Sequence, residues 1–158
     1  MSFDDFQHVS RLRYWPILLL RVYTGVFFAY HGFRKIVGGV FSDNMAGFLD
    51  GRAGDSVAWY RVIVETVVLP LQGLFGFLVA YGELVLGMAL IIGLATRYAA
   101  YAGAFMVLNF WLAKGQGVLA GQNHDVVWFV ILIVLGGLHA GRVLSVDQKL
   151  VKRFRFLA

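Results

Sequence analysis

Four separate runs of apolar residues dominate this sequence, and the first two are easily long enough to cross a lipid bilayer. They cover about residues 15–37, 70–95, 97–116 and 124–143. A helix needs about 20 residues, at a rise of about 1.5 Å each, to cross a bilayer. The last two runs reach that length only when polar residues at their ends lie at the membrane interface. The runs therefore predict an all-α integral membrane protein, built as a four-transmembrane-helix bundle.

The composition leads to the same class. Apolar residues make up 59% of the chain and charged residues 15%, whereas soluble domains average roughly 45–50% and about 25%. A chain of 158 residues cannot hide that much apolar surface inside itself, which argues against a soluble enzyme or a nucleic-acid-binding module. The absence of cysteine excludes disulfides and iron–sulfur clusters within the chain. We expect a single membrane domain over residues 1–158, with no metal or redox cofactor of its own.

The basic residues predict the orientation of the bundle. Four spans place both termini on one side, and that side carries more Lys and Arg, most clearly in the tail from Lys149 to Arg155. The positive-inside rule then puts both termini in the cytoplasm. Residues 38–66 would lie outside and form short interfacial helices, while the tail from Leu144 would form a basic amphipathic helix on the inner surface.

Ionisable residues inside the apolar runs are the first functional candidates, because charges are rare at membrane depth. Glu83 lies near the middle of the second run and Arg21 in the first. Three interpretations of these two residues are open: a buried ion pair that fixes helix register, a ligand or proton site, or no contact at all. At helical periodicity one mostly polar or small face of the first helix, expected to face the interior, contains Arg21, Thr24, Gly25, Phe28, His31, Gly32 and Lys35.

A second set of candidates lies towards the outer side of the bundle. Two interpretations are open for His31, Arg34 and Lys35. They are interfacial residues whose charged ends extend into water, or they form a site for an anion or a quinone carbonyl. His124 and Asp125 open the fourth helix and are secondary candidates, although Asn123 or Asp125 is as readily explained as a helix cap. Asn109 is expected to form a hydrogen bond between helices. His31 and His139 belong at opposite faces, which argues against one haem held by both.

Three stretches of the sequence resemble the DoxX/DoxD family. The first runs from Leu20 to Lys35 and is similar to the opening helix of the family. The second is Gly82–Gly87, followed by Thr96 and Arg97, and the third is the closing segment Gly141–Asp147. The resemblance covers nearly the whole chain, and it implies four membrane helices.

The resemblance also implies kinship with the small membrane subunit of thiosulfate:quinone oxidoreductase. We therefore expect a membrane subunit of a quinone-linked oxidoreductase or electron-transfer complex in a bacterial or archaeal inner membrane, with partner subunits that supply the redox cofactor. The alternative is a non-catalytic accessory subunit of a larger respiratory or photosynthetic complex. In the first case a quinone or proton site would be lined by Arg21, His31, Arg34, Lys35 and Glu83.

Overall fold

A computed structural model of the chain describes residues 3–38, 57–118 and 123–138, with side chains from Trp15 onward in the first range. All regular secondary structure in these ranges is helical, which confirms the predicted all-α class. The helices are α1 (Phe3–Val37), α2 (Ala58–Ile63), a π-helical segment (Val64–Val68), α3 (Gln72–Ile92), α4 (Thr96–Lys114) and α5 (His124–Gly137). Residues 39–56 and the predicted basic helix from Leu144 lie outside the described ranges.

The helices differ in how well they match a membrane span. Within the described ranges only α3 is both long enough and apolar enough to cross a bilayer by itself, while α5 is a shorter apolar helix. The remainder of the run predicted over 124–143 lies outside the described ranges. The arrangement with four spans therefore remains a prediction.

Large apolar side chains point away from the protein on several helices. Trp15 of α1 is 59% exposed, Val85 of α3 is 65% exposed and Phe105 of α4 is 69% exposed. A water-soluble monomer rarely exposes apolar side chains over so continuous a surface. The outer faces of the bundle are therefore suited to contact with lipid or with other membrane helices.

Glycines bring α1 and α3 into close antiparallel contact. A Cβ on Gly25 would lie 2.8 Å from the carbonyl oxygen of Gly87, and a Cβ on Gly32 would lie 2.7 Å from the carbonyl oxygen of Ala80. Any larger residue would collide with the backbone of the opposite helix. Small residues at such positions let two membrane helices pack backbone to backbone, so they fix the register between α1 and α3.

A second helix pair forms from α4 and α5. Leu132 and Leu135 of α5 are fully buried against small residues of α4, which include Ala100 and Ala104. The two pairs are joined by the short turn between Ile92 and Thr96, in which Gly93 and Ala95 have φ angles of 70° and 47°. The left-handed conformation of Gly93 ends α3 at once. The gap between the apolar runs over 70–95 and 97–116 is too short for anything but a tight hairpin, and the structure has one there.

The segment that leads into α3 packs across one end of α4. Val64 and Tyr60 are buried there together with Ala113. The Tyr60 hydroxyl donates a 2.7 Å hydrogen bond to Oδ1 of Asn109, whose Nδ2 donates to the carbonyl oxygen of Phe105. The structure thus confirms a helix in this part of the predicted outer segment and the expected hydrogen bond between helices at Asn109.

Replacing Tyr60 with phenylalanine should lower the free energy of unfolding by about 0.5–1.5 kcal/mol, the net value of one hydrogen bond. Burial raises the pKa of Tyr60 above its ordinary value, so the folded state favours the neutral hydroxyl. This preference stabilises the folded state. The stabilisation is fully present below pH about 10 and is lost as the pH rises through the higher pKa of Tyr60 in the folded protein. Ultraviolet difference titration should show one late-titrating tyrosine that Tyr60→Phe removes. The control Tyr81→Phe, at an exposed side chain, should leave the late titration in place.

Candidate functional site

The glycine contacts position a buried ion pair between α1 and α3. Lys35 lies one turn beyond Gly32 on α1, and Glu83 lies one turn before Gly87 on α3. Because the backbones are so close at the glycines, the Lys35 ammonium reaches Oε1 of Glu83 at 2.5 Å. The Glu83 side chain is only 5% exposed and that of Lys35 is 20% exposed. The carboxylate is therefore inside the bundle and the lysine stands at its edge.

The two oxygens of the Glu83 carboxylate have different surroundings. Oε1 accepts the hydrogen bond from Lys35. Oε2 is buried and has no hydrogen-bond donor within the described part of the chain. The Lys35 ammonium also lies 5.3 Å from the centre of the Phe110 ring on α4. The site thus combines one unused buried acceptor with a nearby aromatic face.

A second ion pair links α4 and α5. The Lys114 ammonium lies 2.7 Å from Oδ2 of Asp125 and donates to Oδ1 at 2.9 Å. The Lys35 ammonium lies 5.3 Å from the centre of the Phe110 ring, one helical turn before Lys114 on α4. The two ion pairs are therefore neighbours, and we call their four residues the charge cluster (Lys35, Glu83, Lys114 and Asp125). Lys114 was not among the predicted site residues, because a lysine at the end of an apolar run is expected at the membrane interface.

The start of α5 is capped by Asn123. Its side-chain oxygen accepts a hydrogen bond from the backbone N–H of Val126 at 3.4 Å, and its Nδ2 donates to the carbonyl oxygen of Gly117 at 2.9 Å. Capping, one of the two explanations for this polar turn, is therefore confirmed for Asn123. Asp125 instead pairs with Lys114, and His124 is exposed.

Of the three interpretations of Arg21 and Glu83, the structure supports the one in which the two residues make no contact. The glycine register places Glu83 near the level of Gly32, which lies about three helical turns, or roughly 16 Å, from Arg21 along α1. That distance exceeds the combined reach of the two side chains. Arg21 is buried, at 1% exposure, in a different part of the bundle. Lys35, and not Arg21, lies beside Glu83.

The interior face predicted for α1 is mostly correct, since Arg21, Thr24, Gly25, Phe28 and Gly32 are all buried. The prediction was wrong for His31, which is exposed. Its ring lies 4.4 Å from that of Phe27 on the outer surface of the helix.

Arg34 is exposed as well, with its guanidinium 5.9 Å from the Tyr30 ring. Among the candidates that we named, the structure brings Lys35, Glu83 and Asp125 together with Lys114. It leaves Arg21, His31 and Arg34 elsewhere.

The side chains of the charge cluster can form hydrogen bonds and transfer protons. Two ammonium groups balance two carboxylates. The described residues contain no group of three or more His, Cys, Asp or Glu side chains that could hold a metal ion. The cluster has the groups to accept a proton or to form hydrogen bonds with a polar headgroup.

Helices with apolar outer faces and paired charges inside define an integral membrane protein. The family model of DoxX matches residues 17–115, and this chain belongs to the DoxX family. The family is membrane-embedded, so the predicted membrane location and the family resemblance are both confirmed. No curated protein and no solved structure matches the chain.

Proposed function

We propose that this protein is the membrane subunit of a quinone-linked oxidoreductase or electron-transfer complex, and that its charge cluster handles the quinone headgroup or its protons. The observation that carries the proposal is the buried Oε2 of Glu83, which has no hydrogen-bond donor within the described residues. Buried polar atoms in folded proteins are nearly always satisfied. An unused acceptor at membrane depth therefore supports a ligand or a proton as its partner.

The surroundings of Glu83 suit a quinone headgroup. Such a headgroup is a flat ring with polar groups at its edge, and it reaches proteins from the bilayer. Phe110 supplies an aromatic face beside Lys35, and aromatic pairs stabilise stacked or edge-on contacts. The redox cofactor would belong to partner subunits, so the purified chain alone should show no stoichiometric visible absorption band.

The proposal is tested on the native complex, purified in mild detergent and assayed for quinone-dependent turnover. Glu83→Gln keeps the size of the side chain but removes its charge, and it should lower turnover by about 100-fold or more, the range for loss of a positioned proton acceptor. The matched control is Glu65→Gln, at an exposed carboxylate that pairs with Arg61, and it should leave turnover unchanged. Full turnover in an assembled Glu83→Gln complex would contradict the proposal.

A non-catalytic accessory subunit is the second candidate. Tyr23 and Tyr30 are 60% and 56% exposed on α1. If another subunit covered them, their hydroxyls would be expected to form hydrogen bonds with it, as buried tyrosine hydroxyls usually do. Such a face suits packing against another subunit. In this case the double variant Lys35→Leu/Glu83→Leu would assemble and retain full turnover, because the charge cluster would serve only to hold helices together.

We further propose four spans in a bacterial or archaeal inner membrane, with both termini in the cytoplasm. The turn between α3 and α4 then faces inward and the link between α4 and α5 faces outward. Because the chain has no cysteine, single introduced cysteines report the topology. Gly117→Cys should react with an impermeant reagent on intact cells, and Leu94→Cys only after permeabilisation. The reverse pattern would refute this orientation.

A further inference from the structure

We infer that the charge cluster selects the reduced, hydroxyl-bearing form of its headgroup, a quinol, through a hydrogen bond from the quinol hydroxyl to Oε2 of Glu83. This inference rests on the proposed function and names the redox form that the site prefers. It follows from the donors and acceptors that the four side chains leave available.

Oε2 of Glu83 is an open acceptor position in the cluster, whereas Oδ2 of Asp125, which also has no hydrogen bond in the described part of the chain, lies 2.7 Å from the Lys114 ammonium. An ionised carboxylate can only accept hydrogen bonds. Oε1 of Glu83 is used by Lys35, and both oxygens of Asp125 lie within 2.9 Å of Lys114. Oε2 of Glu83 remains buried with no donor among the described residues. A ligand that satisfies it must therefore bring a donor.

Each lysine of the cluster is paired with a carboxylate. The Lys35 ammonium is held between Glu83 and the Phe110 ring, and the Lys114 ammonium approaches both oxygens of Asp125. A quinone carries only carbonyl acceptors, so it could accept from a lysine N–H but would leave the buried Oε2 of Glu83 without a donor. A quinol hydroxyl donates to Oε2 without breaking either ion pair. Sites with a buried group that bonds to a hydroxyl strongly reject the analogue without one.

We expect a ligand to approach Glu83 past Lys35. Its side chain is partly exposed at the edge of the bundle, while the carboxylate behind it is covered. Lys35 and Phe110 bridge α1 and α4 at this point. A small shift of the flexible lysine would let a ring slide along Phe110 until its hydroxyl meets Oε2, with Oε1 still bonded to the ammonium.

The test uses the full chain in lipid nanodiscs, without oxygen, and three short-chain probes. These are a benzoquinol, the matching benzoquinone and the dimethyl ether of the quinol. The quinol should bind about 10–100-fold more tightly than the quinone, as expected for one hydrogen bond to a charged group. The ether, which has the quinol's ring but no donor, should bind as weakly as the quinone. The ether comparison needs no protein variant, so it does not depend on how a variant folds.

Substitution of Glu83 provides a second measurement. Glu83→Gln should reduce the difference between quinol and quinone to less than about threefold, while Glu65→Gln should leave it intact. If quinone and quinol bind equally well to the native chain, the inference is overturned but a quinone site stands. If none of the three probes binds to folded protein, both the inference and the proposed function are refuted.

Discussion

Replacing Glu83 with leucine alone is expected to lower the free energy of unfolding by about 3–5 kcal/mol, because it leaves the Lys35 ammonium at the edge of an apolar bundle without its carboxylate. Lys35→Leu should cost at least as much, because the Glu83 carboxylate that it leaves unpaired is even less exposed. The double variant should be far more stable than the sum of the two losses predicts, because no unpaired charge remains. Unfolding of the purified chain in mixed micelles, with all three variants, gives the coupling energy.

The exposed pair of Arg61 and Glu65 is the control for this cycle. Its atoms are 2.7 Å apart, but both side chains are about half exposed, at 49% and 47%. Pairs of this kind contribute only about 0.3–0.5 kcal/mol, so Arg61→Ala and Glu65→Ala should show little coupling. Strictly additive losses at Lys35 and Glu83 would mean that the buried pair does not interact energetically, and the charge cluster would lose its central contact.

Gly87→Ala is the second change with a large expected effect. The new Cβ would lie 2.6 Å from the carbonyl oxygen of Gly25 and against the backbone of Ala29. Backbone atoms cannot rotate away as a side chain can, so α1 and α3 would have to separate. Overpacking costs typically 1–3 kcal/mol, occasionally more, and we expect a loss of about 3 kcal/mol in the same unfolding assay. The separation should also weaken the contact between Lys35 and Glu83.

Gly73→Ala is the matched control, because it lies in the same helix and a Cβ there would meet no atom within 4 Å. Alanine has a helix propensity about 1 kcal/mol better than that of glycine. Gly73→Ala should therefore be neutral or slightly stabilising. If Gly87→Ala proved equally harmless, the close contact between α1 and α3 would have to be abandoned.

The helices and their connections could be predicted from local features of the sequence. Long apolar runs indicate helices in lipid, because a helix forms all the hydrogen bonds of its backbone within one segment, where no water is present to replace them. The hairpin at Ala95 followed from the shortness of the link between two runs. The polar turn at Asn123 carries a residue type that caps helices. Each of these inferences depends on neighbouring residues only.

The partner of Glu83 could not be found in this way. Which side chain of α1 faces it depends on the register of two helices that are far apart in sequence, and contacts at Gly25, Gly32 and Gly87 set that register. Arg21 shares a face with Lys35, so helical periodicity could not choose between them. The position of Lys35 near the end of an apolar run favoured an interfacial role, until the structure placed its ammonium on Glu83.

The division of the fold into two helix pairs has a consequence for how the chain enters a membrane. Glu83 is neutralised by Lys35 within α1–α3, and Asp125 by Lys114 within α4–α5. Neither acid needs the other pair to cancel its charge. An uncompensated charge at the centre of a bilayer is costly, so each half can be released into lipid as soon as its own two helices meet. The turn at Gly93–Ala95 would then join two halves whose buried acids are already paired with lysines, and the remaining step of folding would be side-by-side association.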